Sequence, residues 1–180
     1  MTEKRTGGSC ALACHAAGRR SVNSMGMSIH HEQPARVLND LIATCHDAEE
    51  GYAKAAKGVH DQTVSDRLAG ISGERERFAA ELSELVAKLG EQPASDAHYG
   101  GILHRGWVDL ETRIRPKDQH DLLSDCVRGD EGTLKHYNHV SQVALPEEAS
   151  RVVEKQRTQI QADLEYLNSL LHHKHAAQHA

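Results

Sequence analysis

The sequence has 180 residues, of which 38% are hydrophobic, 26% are charged and only 3% are aromatic, and its formal net charge is −5. This length is sufficient for one domain, whose core must consist largely of Leu, Val, Ile and Ala because aromatic residues are so few. The negative charge and the lack of Lys/Arg runs longer than two argue against nucleic-acid binding, and no apolar run approaches the roughly 18 residues of a membrane span.

Residues 1–33 are rich in Gly, Ser, Thr and Arg and show no hydrophobic periodicity, so they are predicted to be a disordered leader. No apolar stretch follows Arg19–Arg20, which argues against an export signal. The sequence therefore predicts a cytoplasmic protein with reduced thiols, and its cysteines are Cys10, Cys14, Cys45 and Cys126.

Four segments repeat apolar residues every three or four positions, which is the periodicity of an amphipathic helix. The first begins at Pro34 and extends to about Val59, and the second extends from about Thr63 to the helix-terminating Gly90. The third covers 122–140, and the fourth covers 152–171, after the break at Leu145–Pro146. No segment shows the alternation of a strand, so the predicted fold is all-α. Residues 172–180 are predicted to be a flexible, His-rich tail that follows a bundle domain of residues 34–171.

The connections predict how the four helices are arranged. Short turns join the first helix to the second and the third to the fourth, so each pair is expected to form an antiparallel hairpin. The longer connection, residues 90–117, can run back along helices that are roughly 40 Å long. Within it, apolar residues at helical spacing predict a short helix that packs Trp107 against the bundle: Leu103, Trp107, Leu110 and Ile114. A short–long–short order of connections is typical of ferritin-like four-helix bundles.

The two hairpins also look like copies of one unit, because CHDAEEGYAK (45–54) aligns with CVRGDEGTLK (126–135). Near the middle of the predicted helices, four polar residues interrupt the apolar stripes: Glu49, Arg75, Asp130 and Gln156. Buried charges are costly unless they are paired or bound to a metal. One interpretation is a structural polar layer, in which Glu49 and Asp130 pair with Arg75 and Gln156 completes the network. The other is a weak or mononuclear metal site that uses Glu50, Glu74, Glu131 or His46.

Four stretches resemble a bacterial family of ferritin-like four-helix-bundle proteins of uncharacterised function: VLNDLIATCHDAEEGYAKAA, RFAAEL, GGILHRGW and ALPEEASRVVEKQ. The resemblance covers about residues 35–171. Di-iron members of the ferritin-like superfamily bind metal with a Glu from the first helix of each hairpin and a Glu-x-x-His from the second. The resemblance thus implies an iron or manganese site with candidate ligands Glu49, Glu50, Glu74, Asp130 and Glu131. The Glu-x-x-His positions, however, read Glu74-x-x-Arg77 and Gln156-x-x-Gln159.

The predicted function is that of an accessory protein, non-catalytic or weakly metal-binding, in stress or metal homeostasis, a context that the resemblance supplies. One alternative is a carboxylate-bridged iron or manganese enzyme with oxidase or peroxidase-like chemistry. Another is an oligomeric scaffold, whose partner is either a second copy of the chain or an unidentified protein. The sequence does not decide whether the protein is an enzyme.

Overall fold

The computed structural model describes residues 34–94 and 118–178, and of 173–178 it describes the backbone only. Within these residues it contains four helices and no strand: α1 (Pro34–Gly58), α2 (Gln62–Lys88), α3 (Gln119–Val140) and α4 (Glu147–Gln178). The all-α prediction is therefore confirmed. The predicted leader, 1–33, and the predicted short helix around Trp107 lie outside the described residues.

Local side-chain chemistry sets where the helices begin. The Asp61 carboxylate accepts a hydrogen bond from the Val64 N–H (3.2 Å), and the Asp118 carboxylate accepts one from the Asp121 N–H (2.9 Å). Both aspartates are N-caps, which satisfy N–H groups that have no partner inside the helix. Pro34 begins α1, where its fixed φ suits the first turn.

The last helix is longer than its apolar period indicates. α4 begins at Glu147, directly after Pro146, and continues to Gln178, whereas the sequence predicted a helix over 152–171 only. Residues 172–178 contain neither Gly nor Pro, so nothing in them terminates a helix once it has formed. The prediction ended the helix too early because it followed apolar residues, which stop at Leu171.

Two glycines of the α1–α2 hairpin are expected to respond oppositely to alanine. Gly90 has φ +80°, a left-handed conformation that costs an L-residue about 1–2 kcal/mol. Gly70 lies on the exposed face inside α2, and a Cβ there meets nothing within 4 Å. We therefore expect Gly90→Ala to destabilise the protein by about 1 kcal/mol and Gly70→Ala to stabilise it by about 0.5–1 kcal/mol. Urea unfolding measures both, and equal stabilities for the two variants would contradict this assignment.

Helices α1 and α3 are antiparallel neighbours. The Cys45 Sγ lies 3.2 Å from the Tyr137 hydroxyl, while Gly58, thirteen residues further along α1, packs against Leu122, fifteen residues earlier in α3. The residue numbers of the contacting partners therefore rise along α1 while they fall along α3. The contact between Gly58 and Leu122 places the end of α1 beside the beginning of α3.

The connection between the hairpins must span the whole bundle. The residues after α2 lie beside the beginning of α1, where the Ala94 N–H donates to the Asn39 side chain (2.7 Å). α3, in contrast, begins beside Gly58, at the end of α1. An α-helix of the length of α1 measures about 38 Å, so the chain crosses that distance between the hairpins. The short–long–short order of connections is therefore confirmed.

Two apolar clusters fill the inside of the bundle, one toward each end. The first surrounds the beginning of α1 and the end of α2, and its main side chains are Leu38, Leu41, Ile42, Phe78, Leu82, Val86, Tyr137 and Ile160. The second surrounds the end of α1 and the beginning of α2, and its main side chains are Tyr52, Leu68, Ile71, Leu122, Leu123, Cys126 and Leu167. Among the described residues, no helix is long and apolar enough to cross a membrane.

Each helix carries an acidic or basic residue at the boundary between the two clusters. These residues are Glu49 in α1, Arg75 in α2, Asp130 in α3 and Asp163 in α4. Arg75, Asp130 and Asp163 are 0% exposed. The bundle thus buries a layer of charged residues at mid-height, between its two apolar clusters.

Candidate functional site

A buried ion cluster of three residues, Arg75, Asp130 and Asp163, occupies the middle of the bundle and is called the central ion cluster below. The Arg75 Nη2 donates to the Asp130 Oδ2 at 3.1 Å and lies 3.0 Å from the Asp163 Oδ2. A single nitrogen atom from α2 thus stands against carboxylates from both α3 and α4. The guanidinium is the common partner of two helices that belong to the second hairpin.

Helical spacing explains why an arginine reaches this position. Arg75 follows Ile71 by four residues and precedes Phe78 by three, so it lies on the apolar face of α2. Its guanidinium carbon lies 5.7 Å from the ring centre of Tyr52 and 5.5 Å from that of Phe78. Aromatic faces attract a cation at such distances. The two rings therefore cover the guanidinium where the carboxylates do not.

Burial and ion pairing have opposite effects on the pKa values of the central ion cluster. Burial alone would lower the pKa of Arg75, but its acidic neighbours, Asp130 foremost, raise that pKa above its usual value. Burial raises the pKa of Asp130, while Arg75 and the Tyr52 hydroxyl act to lower it. The guanidinium therefore stays protonated at any ordinary pH, and its charge is what makes the burial of Asp130 tolerable.

The central ion cluster extends toward the surface through Arg67. The Arg67 Nη2 donates to the Asp163 Oδ1 at 2.7 Å, and its Nη1 lies 3.5 Å from the Glu74 Oε1. Gln159 donates to the same Asp163 oxygen at 3.2 Å. The Arg67 side chain is 34% exposed, so one carboxylate of the cluster is held by a buried arginine on one side and a half-exposed arginine on the other.

A second hydrogen-bond network, neutral except for Glu81, lies next to the ion cluster. The Tyr137 hydroxyl donates to the Gln156 Oε1 at 2.8 Å. The Gln156 Nε2 in turn donates to the Phe78 carbonyl (3.3 Å) and to the Glu81 carboxylate (2.9 Å). The Cys45 Sγ lies 3.2 Å from the Tyr137 oxygen, which its S–H can reach as a donor. This network ties all four helices together without a net charge at its buried end.

The Cys45 thiol provides a pH-dependent test of this packing. Burial, only partly opposed by the Tyr137 hydrogen bond, raises the pKa of Cys45 from 9.0 to about 11. The unfolded chain therefore ionises first, and the free energy of unfolding should fall between pH 9 and 11, by about 1–3 kcal/mol from this group. We expect the stability difference between the wild type and Cys45→Ala to shrink over that range. A stability difference between the two proteins that stays constant from pH 9 to 11, as measured by chemical denaturation, would contradict this.

The structure places the five predicted metal ligands apart. The Glu50 side chain is 67% exposed and pairs with Lys54 (2.8 Å), and Glu131 is exposed as well. Glu49, 33% exposed, lies 3.2 Å from the His46 ring rather than at Arg75. Glu74 is half-buried, and only Asp130 is fully buried. The metal site stays a prediction, and so does its alternative, the structural polar layer with Arg75 and Gln156.

Elsewhere in the described part of the chain, only one group of three metal-ligating side chains comes together. It consists of Asp118, His120 and Asp121 at the start of α3, and all three are exposed. Because Asp118 is the N-cap of α3, the local helix geometry alone accounts for the closeness of Asp118 to Asp121. The bundle centre therefore remains the candidate site.

The sequence analysis missed Asp163, although a signal for it was present. Asp163 follows Ile160 by three residues and precedes Leu167 by four, so, like Arg75, it lies at helical spacing from apolar residues on both sides. Asp163, and not Glu49, is the second acidic partner of Arg75.

A groove between α2 and α4 leads to both networks. Its volume is about 250 Å³, and its lining residues are Glu74, Arg77, Phe78, Glu81, Lys155 and Gln159. The two helices run antiparallel here, since Arg67 pairs with Asp163 (2.7 Å) and Lys88 pairs with Glu148 (2.6 Å). The groove therefore borders Gln159, whose side chain donates to Asp163 of the central ion cluster.

One comparison with known proteins gives a match. A family model described as a domain of unknown function (DUF2383) matches residues 33–142, more than half of the chain. The matched range contains α1, α2 and α3, and so Arg75 and Asp130, but not α4 with Gln156 and Asp163. No curated protein matches the sequence significantly.

Proposed function

Since the chain belongs to the family described as a domain of unknown function (DUF2383), we propose its function from the bundle itself. The protein is a cytoplasmic accessory protein with a ferritin-like bundle that performs no catalysis at its centre. It acts through its surface or its assembly, in stress or metal homeostasis. The observation that supports this proposal most is the position of Arg75 between two buried carboxylates.

The fixed positive charge of Arg75 at this position disfavours the binding of a metal ion. Arginine cannot ligate a metal, because its guanidinium stays protonated and offers no acceptor. At 4 Å and an effective dielectric constant of 20, each unit of metal charge is repelled by about 4 kcal/mol. The ligand set that the resemblance implies thus does not fit this centre, where Arg75 already forms ion pairs with both Asp130 and Asp163.

The alternative, an iron or manganese enzyme, has weaker support. It needs several carboxylates around one position, whereas Glu50 and Glu131 are exposed and Glu49 lies beside His46. Its candidate ligands would have to leave these partners and converge past Arg75. A metal measurement separates the two proposals.

Metal content after anaerobic loading is expected to show no metal held at the bundle centre. The full-length wild type and the variants Glu49→Gln and Asp130→Asn are loaded with ferrous iron or Mn²⁺, desalted and measured by elemental mass spectrometry. Any metal that the His-rich end of the chain binds contributes equally to all three proteins, so only the difference between them matters. Equal contents support the proposal, because neither side chain then holds a metal. A stoichiometric amount of metal that both variants lose would establish the enzyme-type site instead.

A further inference from the structure

The central ion cluster also has the geometry of a site for a divalent cation that is blocked by the protein's own arginine. The Asp130 Oδ2 and the Asp163 Oδ2 lie 3.1 and 3.0 Å from the same nitrogen, Arg75 Nη2. One positive atom is therefore already shared by two carboxylates from different helices. Oxygen–metal distances are about 2.0–2.6 Å, so a small closure of the two side chains would place both oxygens on one ion.

The charges around this position favour a divalent ion once the arginine is removed. Three carboxylates, those of Glu74, Asp130 and Asp163, face two guanidinium groups, those of Arg67 and Arg75. Without Arg75 the group has an excess of two negative charges, and two of its carboxylates are 0% exposed. Uncompensated buried carboxylates are strongly unfavourable. A divalent cation would neutralise this excess completely.

Removing the arginine also frees the oxygen atoms that a metal needs. The Asp130 Oδ2 and the Asp163 Oδ2 each face Arg75 Nη2 at hydrogen-bond distance, and both would lose that cation. The opposite oxygen of Asp163 keeps its hydrogen bonds from Arg67 and Gln159, which would hold the carboxylate in place. An ion can approach through the groove between α2 and α4, which is lined by Glu74 and Phe78 next to Arg75.

We propose that Asp130 and Asp163 form a latent divalent-cation site in which Arg75 is the resident cation. This inference rests on the proposed function, in which the native centre binds no metal. An all-oxygen site of this kind suits hard ions such as Mn²⁺ or Mg²⁺ rather than ions that prefer thiolate or imidazole ligands. The bundle thus contains two carboxylates arranged as in a metal site. Arg75 of the same chain supplies the positive charge that a metal ion would supply.

The test compares variants of Arg75 in the full-length protein with Mn²⁺ as the probe. Arg75→Ala and Arg75→Met remove the charge, and Arg75→Met also keeps most of the volume. Arg75→Lys keeps a cation and serves as the matched control. Mn²⁺ binding is followed by electron paramagnetic resonance, and thermal unfolding is recorded in Mn²⁺ and in a chelator.

Both neutral variants are expected to bind one more equivalent of Mn²⁺ than the wild type and to lose it when Asp130→Asn and Asp163→Asn are added. Their Tm should rise by about 5–10 °C in Mn²⁺ at a hundredfold excess over Kd, while the wild type and Arg75→Lys do not change. If Arg75→Ala does not fold alone, refolding that requires Mn²⁺ supports the inference.

Folded Arg75→Met that binds no more Mn²⁺ than the wild type would overturn the inference and leave the proposed function intact. Central Mn²⁺ binding by the wild type itself, lost in Asp130→Asn, would overturn the proposed function first. The two failures are therefore distinguishable, because the first appears only in the variants of Arg75 and the second appears in the native protein.

Discussion

Replacement of Arg75 by alanine is expected to lower the free energy of unfolding by about 3–5 kcal/mol, the usual cost of removing one partner from a buried ion pair. The loss of packing contributes less than the charge that remains. Asp130 and Asp163, both 0% exposed, would keep carboxylates without a cation at 3.1 and 3.0 Å. The Tyr52 and Phe78 rings would lose the guanidinium that they cover.

Urea unfolding followed by circular dichroism measures this effect, in a chelator so that no metal compensates. Arg77→Ala is the matched control, because Arg77 lies on the same helix two residues later and is exposed. A change within about 0.5 kcal/mol is expected there. If Arg75→Ala and Arg77→Ala lost equal stability, the central ion cluster would have no special role in holding the bundle.

Asp163→Asn is expected to cost about 3 kcal/mol, because Asp163 is the carboxylate on which two arginines converge. Asparagine keeps the shape of the side chain but removes the charge that faces Arg75 at 3.0 Å and Arg67 at 2.7 Å. Glu165→Gln, an exposed site two residues later on α4, should change stability by less than about 0.5 kcal/mol.

A double-mutant cycle isolates the pair. The double variant Arg75→Ala/Asp163→Asn should be more stable than the sum of the single effects indicates, with a coupling of about 1–3 kcal/mol, because the second change removes a charge that the first left unpaired. Additive effects would show that Arg75 and Asp163 do not interact despite their short distance.

Much of the fold is predictable because helical periodicity and connection length depend on local sequence. The apolar stripes identify Arg75, Asp130 and Gln156 as inward-facing, and all three are 0% exposed. The same reasoning predicted an inward-facing Glu49, which instead lies at the edge of the apolar stripe. Its carboxylate lies 3.2 Å from the His46 ring, one helical turn away, and its backbone carbonyl accepts a hydrogen bond from the Ser72 hydroxyl. An apolar stripe indicates which face of a helix is buried, but it does not show whether a residue at the edge of that face is buried.

Pairing across the bundle was less predictable, because it depends on how far each helix slides along its neighbours. Arg75 and Arg67 both reach Asp163 in the register that α2 adopts against α4. The contacts of the Tyr137 hydroxyl with Cys45 and Gln156 likewise depend on the register of α3 against α1 and α4. No spacing within one helix contains this information, so the sequence identified the members of the layer better than their partners.

The most direct test of the account is a crystal structure of the full-length wild type grown with excess Mn²⁺, with anomalous scattering data collected at the manganese edge. We expect the Arg75 guanidinium to lie between Asp130 and Asp163, with no anomalous peak inside the bundle. A peak within ligand distance of these two carboxylates, with Arg75 displaced, would contradict it and would identify the centre as a metal site.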